Sequence, residues 1–554
     1  MKSPEIRRPQ IVDISWSVII AFMSVAFYLT AWITEDAFIT FRVIDNFVGG
    51  LGPVWNPGER VQVYTHPLWF GILLPLVALS GEPYFTSLAA SLVLLLVSLM
   101  IVRRMIVRPS VMSMLVIASL VLSRAFVDYA SSGLEIPLLY ALLSGYVLVW
   151  IGTEGLRRTR WLFLLASAVF LTRPDAVLLI APSLAVELWR GRSARGITRS
   201  AAIGILPAIA WVTFSLVYYG SPVPNTALAK LSTGFGAERK FLQAWAYLTR
   251  AAASDPHTLA LIVIGCIVPL TLQVRSLRSL CAGILLWIAY LFLAGGDHMA
   301  GRFLSFPAFL SAILLAIAWQ GQPGRAAHWL LAAMLATNAA ATARVWQSES
   351  DYEETGIDAA GIADERRYFY NALGLRPTLE RGGLADNPWI QEGGIARAMP
   401  GLYVRCTIGM APYFAGPAVR WIDPLALSQP FLARLPAREV SRIGHYERAF
   451  PEGFLESEAL GINAITDPGL SALYADVVLA TRAPLGDARR IAAVWRLNTR
   501  GHSQTIRDHA RNGPLIPGHL DGREQSGACL DASREFGLAW RVTSNPVAIH
   551  PLLR

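Results

Sequence analysis

The chain has 554 residues, 54% of them hydrophobic and only 16% charged, with a formal net charge of +9. Soluble domains carry roughly a quarter charged residues, so this composition excludes an ordinary soluble globule. It also argues against nucleic acid as a partner, because the basic residues stand in short clusters between apolar runs, which is how membrane topology is written.

At the N-terminus, Lys2, Arg7 and Arg8 precede the apolar run Ser15 to Ile33, close to the ~20 residues that span a bilayer core. The run is too long, and too soon followed by Glu35-Asp36, for a cleaved signal. A retained span with a cytoplasmic N-terminus is expected, since cationic loops resist export. Loop 34–66 then lies outside. It holds Glu35, Asp36, Arg42, Asp45, Asn56, Tyr64 and His66, with Gly49-Gly50 and Asn56-Pro57-Gly58 as turn signals. Between Asp36 and Val48 the apolar residues recur at helical spacing, which predicts a short amphipathic helix along the interface. The run Pro67 to Ser80 has 14 residues. If it crossed, the cluster at Arg103 would be exported, so a re-entrant or juxtamembrane helix is expected over 67–80.

Further apolar runs cover Tyr84 to Val102, Ser200 to Tyr219 and Phe303 to Trp319. Between the runs stand cationic clusters: Arg103, Arg104 and Arg108; Arg157, Arg158 and Arg160; Arg190, Arg192, Arg195 and Arg199; Arg275 and Arg278; then Arg325. All should be cytoplasmic, hence separated by even numbers of crossings. Residues 161–189 satisfy this as two short spans meeting outside at Thr172-Arg173-Pro174-Asp175, and segments 128–135, 220–257 and 295–302 are external by the same count. The expected architecture is an α-helical polytopic membrane protein with about 11 transmembrane helices over residues 1–343. An extracytoplasmic mixed α/β domain follows over 344–554, long enough for a core of its own. That tail is charged, rich in Gly and Pro, and has β-prone runs at Ala418 to Ile422 and Asp476 to Ala480. Of four cysteines, Cys266 and Cys281 lie in apolar runs, whereas Cys406 and Cys529 lie in the tail, where an extracytoplasmic setting permits a disulfide.

Glu35-Asp36-Ala37-Phe38-Ile39-Thr40-Phe41-Arg42, with Val54 to Arg60 and Tyr64-Thr65-His66-Pro67-Leu68-Trp69, resembles the first external loop of the GT-C superfamily of membrane glycosyltransferases. Within it the likeness is to the terminal arabinofuranosyltransferases of mycobacterial cell walls. Ser132 to Glu135, Leu171 to Asp175, Tyr218-Tyr219-Gly220 with Pro224-Asn225-Thr226, and Gly295 to His298 with Gly301-Arg302-Phe303 are similar to later loops of the same group. So are Gly361 to Arg366, Asp423-Pro424-Leu425 and Gly444 to Arg448 in the tail. The resemblance covers about positions 10 to 460, and the order of the motifs on one membrane face carries it. It implies a polyprenyl-phosphate-linked sugar, arabinofuranose above all, as donor. A cell-envelope glycan or glycoprotein would be the acceptor, at the outer face of the cytoplasmic membrane.

Such a transfer needs a base for the acceptor hydroxyl, charge stabilisation on the departing phosphate, and a surface that holds the sugar near the lipid headgroups. Asp36, with Glu35 beside it, is the candidate base; the plain alternative is a solvated helix end. The superfamily commonly has Asp-Asp where this chain has Glu-Asp, which favours Asp36. Arg173 suits a forked grip on phosphate. An unpaired guanidinium at such a span tip would cost about 3 kcal/mol, so a partner is required: Asp175, Glu135 or the donor phosphate. Arg302 with Asp297 and His298 forms a second polar tip. His66, Tyr64, Asn225 and Glu135 complete the candidate substrate-binding set, with turn or interfacial roles as their alternatives. No cofactor is required by the sequence. Glu35 and Asp36 suit a divalent cation through oxygen ligands, and no Gly-rich nucleotide loop is present. The rival readings are another sugar, such as mannose or aminoarabinose, a flippase or transporter of lipid-linked sugars, and a non-catalytic assembly protein.

Overall fold

The computed structural model describes residues 8–193, 195–321, 324–336, 357–385, 387–438, 441–499, 501–512 and 541–542. The chain begins with helices α1 (Arg8–Thr30), α2 (Ala37–Val48), α3 (Pro67–Ser80) and α4 (Pro83–Met105). The short α5 (Val111–Ala118) and α6 (Arg124–Tyr129) precede α7 (Ile136–Gly152), α8 (Gly155–Thr172), α9 (Ala181–Arg190), α10 (Ile197–Tyr219) and α11 (Asn225–Leu231). Then come α12 (Ala237–Ser254), α13 (Pro256–Thr271), α14 (Arg278–Ala294), α15 (Arg302–Ala318) and α16 (Arg325–Ala336).

These are the apolar helices of a multi-pass membrane protein. Among the described residues, three helices are long and apolar enough to cross a bilayer: α1, α4 and α10. A fourth is reached if α12 and α13, bent by 106° at Asp255, count as one broken span. Pro67–Ser80, Ile136–Gly152, Arg278–Ala294 and Arg302–Ala318 are apolar helices of fewer than 18 residues. Several of the crossings expected from the arginine clusters therefore fall on short or broken helices. Residues 161–189 illustrate it: α8 stops at Thr172, where Pro174 opens a 3-10 turn to Leu179, and only the ten-residue α9 remains. At the centre stands α15, whose Leu304 to Ala316 are almost wholly enclosed.

The tail contributes α17 (Glu365–Leu373), α18 (Leu375–Arg381), α19 (Pro388–Ala398), β1 (Leu402–Val404), α20 (Met410–Ala415), β2 (Arg420–Ile422), α21 (Phe454–Leu460), α22 (Pro468–Arg482), α23 (Ala488–Asn498), α24 (Ser503–Asn512) and β3 (Arg541–Val542). The sheet has the order β2-β1-β3, parallel between β1 and β2 and antiparallel to β3. Ala418 to Ile422 is thus partly strand, but Asp476 to Ala480 is helical. There Asp467 caps the helix by accepting from Leu470 N, Pro468 stands in the first turn, and Leu470, Leu473, Tyr474, Val477 and Val478 form one buried face. Helical period outweighs the β propensity of a short valine run.

The tail has two packing partners. Phe369, Tyr370, Leu373, Trp389, Met410 and Trp421 join the large core of the helical region, whereas Phe431, Phe454, Leu473 and Val478 form a smaller core around β1 and β2. Helix α2 spans the region predicted to lie along an interface, but Ala37 to Ile44 are buried throughout, because α20 of the tail packs against it. Arg42 fastens the junction: its guanidinium donates to the carbonyls of Trp55, Pro412, Gly416 and Val419 and sits 5.1 Å from the Trp55 ring centroid. Cys406 is disulfide-bonded, Cys266 and Cys281 are free thiols, and Cys529 lies outside the described residues.

Candidate active site

Where loop one, the 295–301 loop, α12 and the tail meet, they enclose a cleft of about 790 Å³, within the range of small-ligand sites. Glu35, Asp36 and His298 line it, with Lys240 and Gln243 of α12 and Glu365, Arg442 and His445 of the tail.

Asp36 precedes the first turn of α2, yet its side chain makes no capping hydrogen bond. Its side chain is 31% exposed, and its one ion-pair neighbour among the described residues is Arg302, at 3.8 Å. Glu35 is differently employed. Its Oε1 accepts from the backbone N–H of Gly409 at 2.5 Å and of Met410 at 3.0 Å, tying loop one to the tail. A Cβ at Gly409 would lie 2.1 Å from the Glu35 carbonyl oxygen, so this approach requires glycine. Burial first, and then the charge of Asp36, pushes the Glu35 carboxyl up to about 8.

Behind Asp36 runs a chain of buried charge. Arg302 lies 3.7 Å from Glu135 and 3.9 Å from Asp297. Glu135 also meets Arg173 at 3.1 Å and His66 at 3.2 Å, and His66 Nε2 is 2.8 Å from Thr40 Oγ1. Arg173 reaches Asp175 at 3.0 Å and stacks over Phe303 and Phe306. Both within-chain partners considered for Arg173 are therefore engaged. His298 Nδ1 is 2.9 Å from Asp297 Oδ1. Burial opposes the charges on Glu135 and Asp297, but their cationic and imidazole neighbours outweigh it and hold both carboxyls below the usual range.

Five candidates, Glu135, Arg173, Arg302, Asp297 and His66, thus form one network behind Asp36 and His298 at the cleft wall. Tyr64 and Asn225 lie elsewhere. The Tyr64 hydroxyl is 2.9 Å from that of Tyr219 and its ring stacks on Phe70, while Asn225 Nδ2 donates to the carbonyls of Ala426 and Leu427, each at 2.9 Å.

Besides Lys240, Gln243 and Arg442, two further lining side chains from outside the predicted set, Glu365 and His445, reach His298, and Lys230 stands near the network without lining the cleft. Glu365 accepts from Thr34 Oγ1 at 2.7 Å, stands 3.9 Å from His298 Nε2, and is pushed up to about 7 by burial and then by Asp36. The His445 ring meets that of His298 edge to face, with centroids 4.8 Å apart. Gly444 makes this approach possible: its φ is +73°, and a Cβ there would lie 2.4 Å from His298 Nδ1. Lys230, on α11, is exposed and feels the charges of Asp297, Arg302 and Asp36. Its signal in the sequence was rarity, since the chain has only three lysines among 48 basic residues. Among the described residues, no group of three or more His, Cys, Asp or Glu side chains is arranged to hold a metal.

No protein-family model matches the chain. It is 27% identical to the terminal beta-(1->2)-arabinofuranosyltransferase of Mycobacterium tuberculosis over 519 aligned positions, covering 76% of this chain and 81% of that protein. It is 26% identical to the protein of the same name in Corynebacterium glutamicum over 506 positions, covering 75% of this chain and 72% of that one. The chain therefore resembles terminal arabinofuranosyltransferases over about three quarters of its length, and the resemblance makes it a glycosyltransferase.

Proposed function

We propose that the chain transfers a sugar, arabinofuranose in the first place, from a polyprenyl-phosphate donor to a cell-envelope glycan or glycoprotein at the outer face of the cytoplasmic membrane. The observation that carries the reading is Asp36: a carboxylate on the wall of a large cleft, free of capping duty and backed by Arg302. In this scheme Asp36 takes the proton of the acceptor hydroxyl as that oxygen attacks the anomeric carbon. The bond from that carbon to the phosphate oxygen breaks, and the electron pair leaves on the lipid phosphate. Arg302, with Arg173 behind it and Lys230 nearby, offsets the charge developing there. Glu35 positions Asp36 through its hold on Gly409 and Met410. His298, Asp297, Glu135 and His66 fix Arg302 and the cleft wall.

The reading is supported by the two relatives, whose names specify arabinofuranosyl transfer, and by the outer-loop origin of every network residue in the arginine-based topology. The test is a panel of polyprenyl-phosphate sugars, offered to the protein in membranes with an arabinan acceptor and scored for transfer, with and without a chelator for the divalent cation that Asp36 and a neighbouring carboxylate could hold. Transfer of arabinofuranose ahead of mannose or aminoarabinose is expected. Movement of the intact lipid-linked sugar across the membrane without transfer would instead favour a flippase.

A further inference from the structure

Helix α12 turns large apolar side chains outward and several polar ones toward the cleft. Its inward face carries Lys240, Gln243, Tyr247 and Arg250 beside the buried Ala244 and Ala251. Gln243 Nε2 donates to the Ala360 carbonyl at 2.7 Å, Arg250 pairs with Asp358 at 2.6 Å, and the Tyr247 hydroxyl donates to the Met299 carbonyl at 3.2 Å. Lys240 and Gln243 line the cleft. Its outward face carries Phe241, Leu242 and Trp245, which are 54%, 60% and 57% exposed, with Glu238 a turn before them and Thr249 a turn after. A helix between core and water places its apolar stripe inward; apolar side chains outward and polar ones inward suit a helix surrounded by hydrocarbon.

The patch is also continuous with the exposed apolar surface of α14. Phe241 stacks on Phe292 of α14, with ring centroids 5.0 Å apart, and α14 extends the apolar surface through Leu293 and Leu285, both strongly exposed. The 106° bend from α13 turns α12 across that helix instead of along it, as for a helix lying in the headgroup and acyl boundary.

We propose that α12 is a membrane-seated sill: Phe241, Leu242 and Trp245 rest in the hydrocarbon of one leaflet, and the cleft opens sideways to the lipid at Lys240 and Gln243. The lipid contact rests on α12 alone. Its use as the entry for a lipid-phosphate donor rests on the function proposed above. An amphiphile of that kind would keep its chain on the Phe241 side while its anionic head passes Lys240 into the cleft.

The experiment uses the full chain in phospholipid bilayers, with a nitroxide on W245C and a control nitroxide on G486C in an exposed turn of the tail. The label at 245 is expected to collide several-fold more with dissolved oxygen than with a water-soluble nickel chelate, and the control to do the reverse. Nickel access at 245 equal to that at 486 would overturn the lipid contact. For the entry role, the Phe241→Ser/Trp245→Ser variant should raise KM several-fold for a long-chain lipid donor, leaving kcat and the KM of a short-chain, water-soluble donor unchanged. An equal change with both donors, or with neither, would overturn that role. A parent protein that transfers from no lipid donor would refute the function, and the nitroxide result would still place α12.

Discussion

The networks around Glu458 and around Glu135 both set buried carboxylates among arginines, yet Arg482 in the first and Arg302 in the second are held at different distances. In the tail, Arg482 meets Glu458 at 2.9 Å and Glu59 at 3.2 Å, Tyr474 donates to Glu458 at 2.9 Å, Asn56 donates to Glu59 at 2.9 Å, and Arg420 reaches both carboxylates. All four carboxylate oxygens of Glu59 and Glu458 accept hydrogen bonds. Behind the cleft, Arg302 stands 3.7 to 3.9 Å from its three carboxylates. Arg302 Nε and Asp297 Oδ2 are buried with no hydrogen-bond partner among the described residues, whereas Glu135 Oε2, His66 Nδ1, Arg173 Nε and His298 Nδ1 rest on ion-pair contacts of 2.9 to 3.2 Å. Buried polar groups are nearly always satisfied, and the exceptions call for an explanation. The tail network locks loop one to α22, whereas Arg302 behind the cleft, 3.7 to 3.9 Å from each carboxylate, has room for the further anionic partner that the proposed donor would supply.

The largest expected effect separates the two functionally. Asp36→Asn keeps the shape of the side chain but removes the base, and turnover should fall by about 10²- to 10⁴-fold, with the melting temperature and donor binding unchanged. Turnover near that of the parent would move the base to His298, Asp297 or Glu365. The tail network should respond in the opposite sense. Arg482→Ala leaves Glu458 and Glu59 buried with less compensation, a loss of about 3–5 kcal/mol of stability by analogy with other broken buried pairs, and denaturation should reveal it before any change in donor KM per folded molecule. A stable Arg482→Ala protein with impaired turnover would erase the distinction.

A smaller effect concerns Glu35. Its folded carboxyl is raised to about 8 from an ordinary 4.5, so the folded state holds a proton that the unfolded state releases. The group's stabilising contribution is present below about 4.5 and is lost as pH rises through about 8. Glu35→Gln retains an acceptor for Gly409 and Met410, and should flatten the decline in melting temperature over that window while reducing turnover only mildly. An unchanged pH slope would remove Glu35 as its source.

The sequence made the helical membrane class and the helix over 67–80 legible, because hydropathy runs and Pro67 at a helix start are local signals. It also exposed the network: Arg173, Glu135, Arg302, Asp297 and His66 are rare polar residues among apolar neighbours and therefore conspicuous. Glu365, His445 and Lys230 were less visible, since the tail is charged throughout and only folding brings positions 298, 365 and 445 together. Asn225 and Tyr64 stood out for the same reason as the network residues, but their polar atoms are used in cross-ties to Leu427 and Tyr219. Charge parity counts crossings but does not fix helix length, and helices break at Pro174 and Asp255.

The central claim is that the loosely paired cleft charges belong to a phosphate-bearing lipid. It is tested most directly by the thermal shift that polyprenyl phosphate and the uncharged polyprenol each produce in the parent, Arg302→Gln, Arg173→Gln and Arg173→Lys proteins. A ligand at a hundred times its Kd stabilises by about 2.7 kcal/mol, so a clear shift is expected in the parent with the phosphate and little with the alcohol. The gap should vanish in Arg302→Gln, shrink in Arg173→Gln and recover in part in Arg173→Lys, which restores the charge but not the fork. Equal shifts from phosphate and alcohol in the parent, or an undiminished gap in Arg302→Gln, would contradict the account.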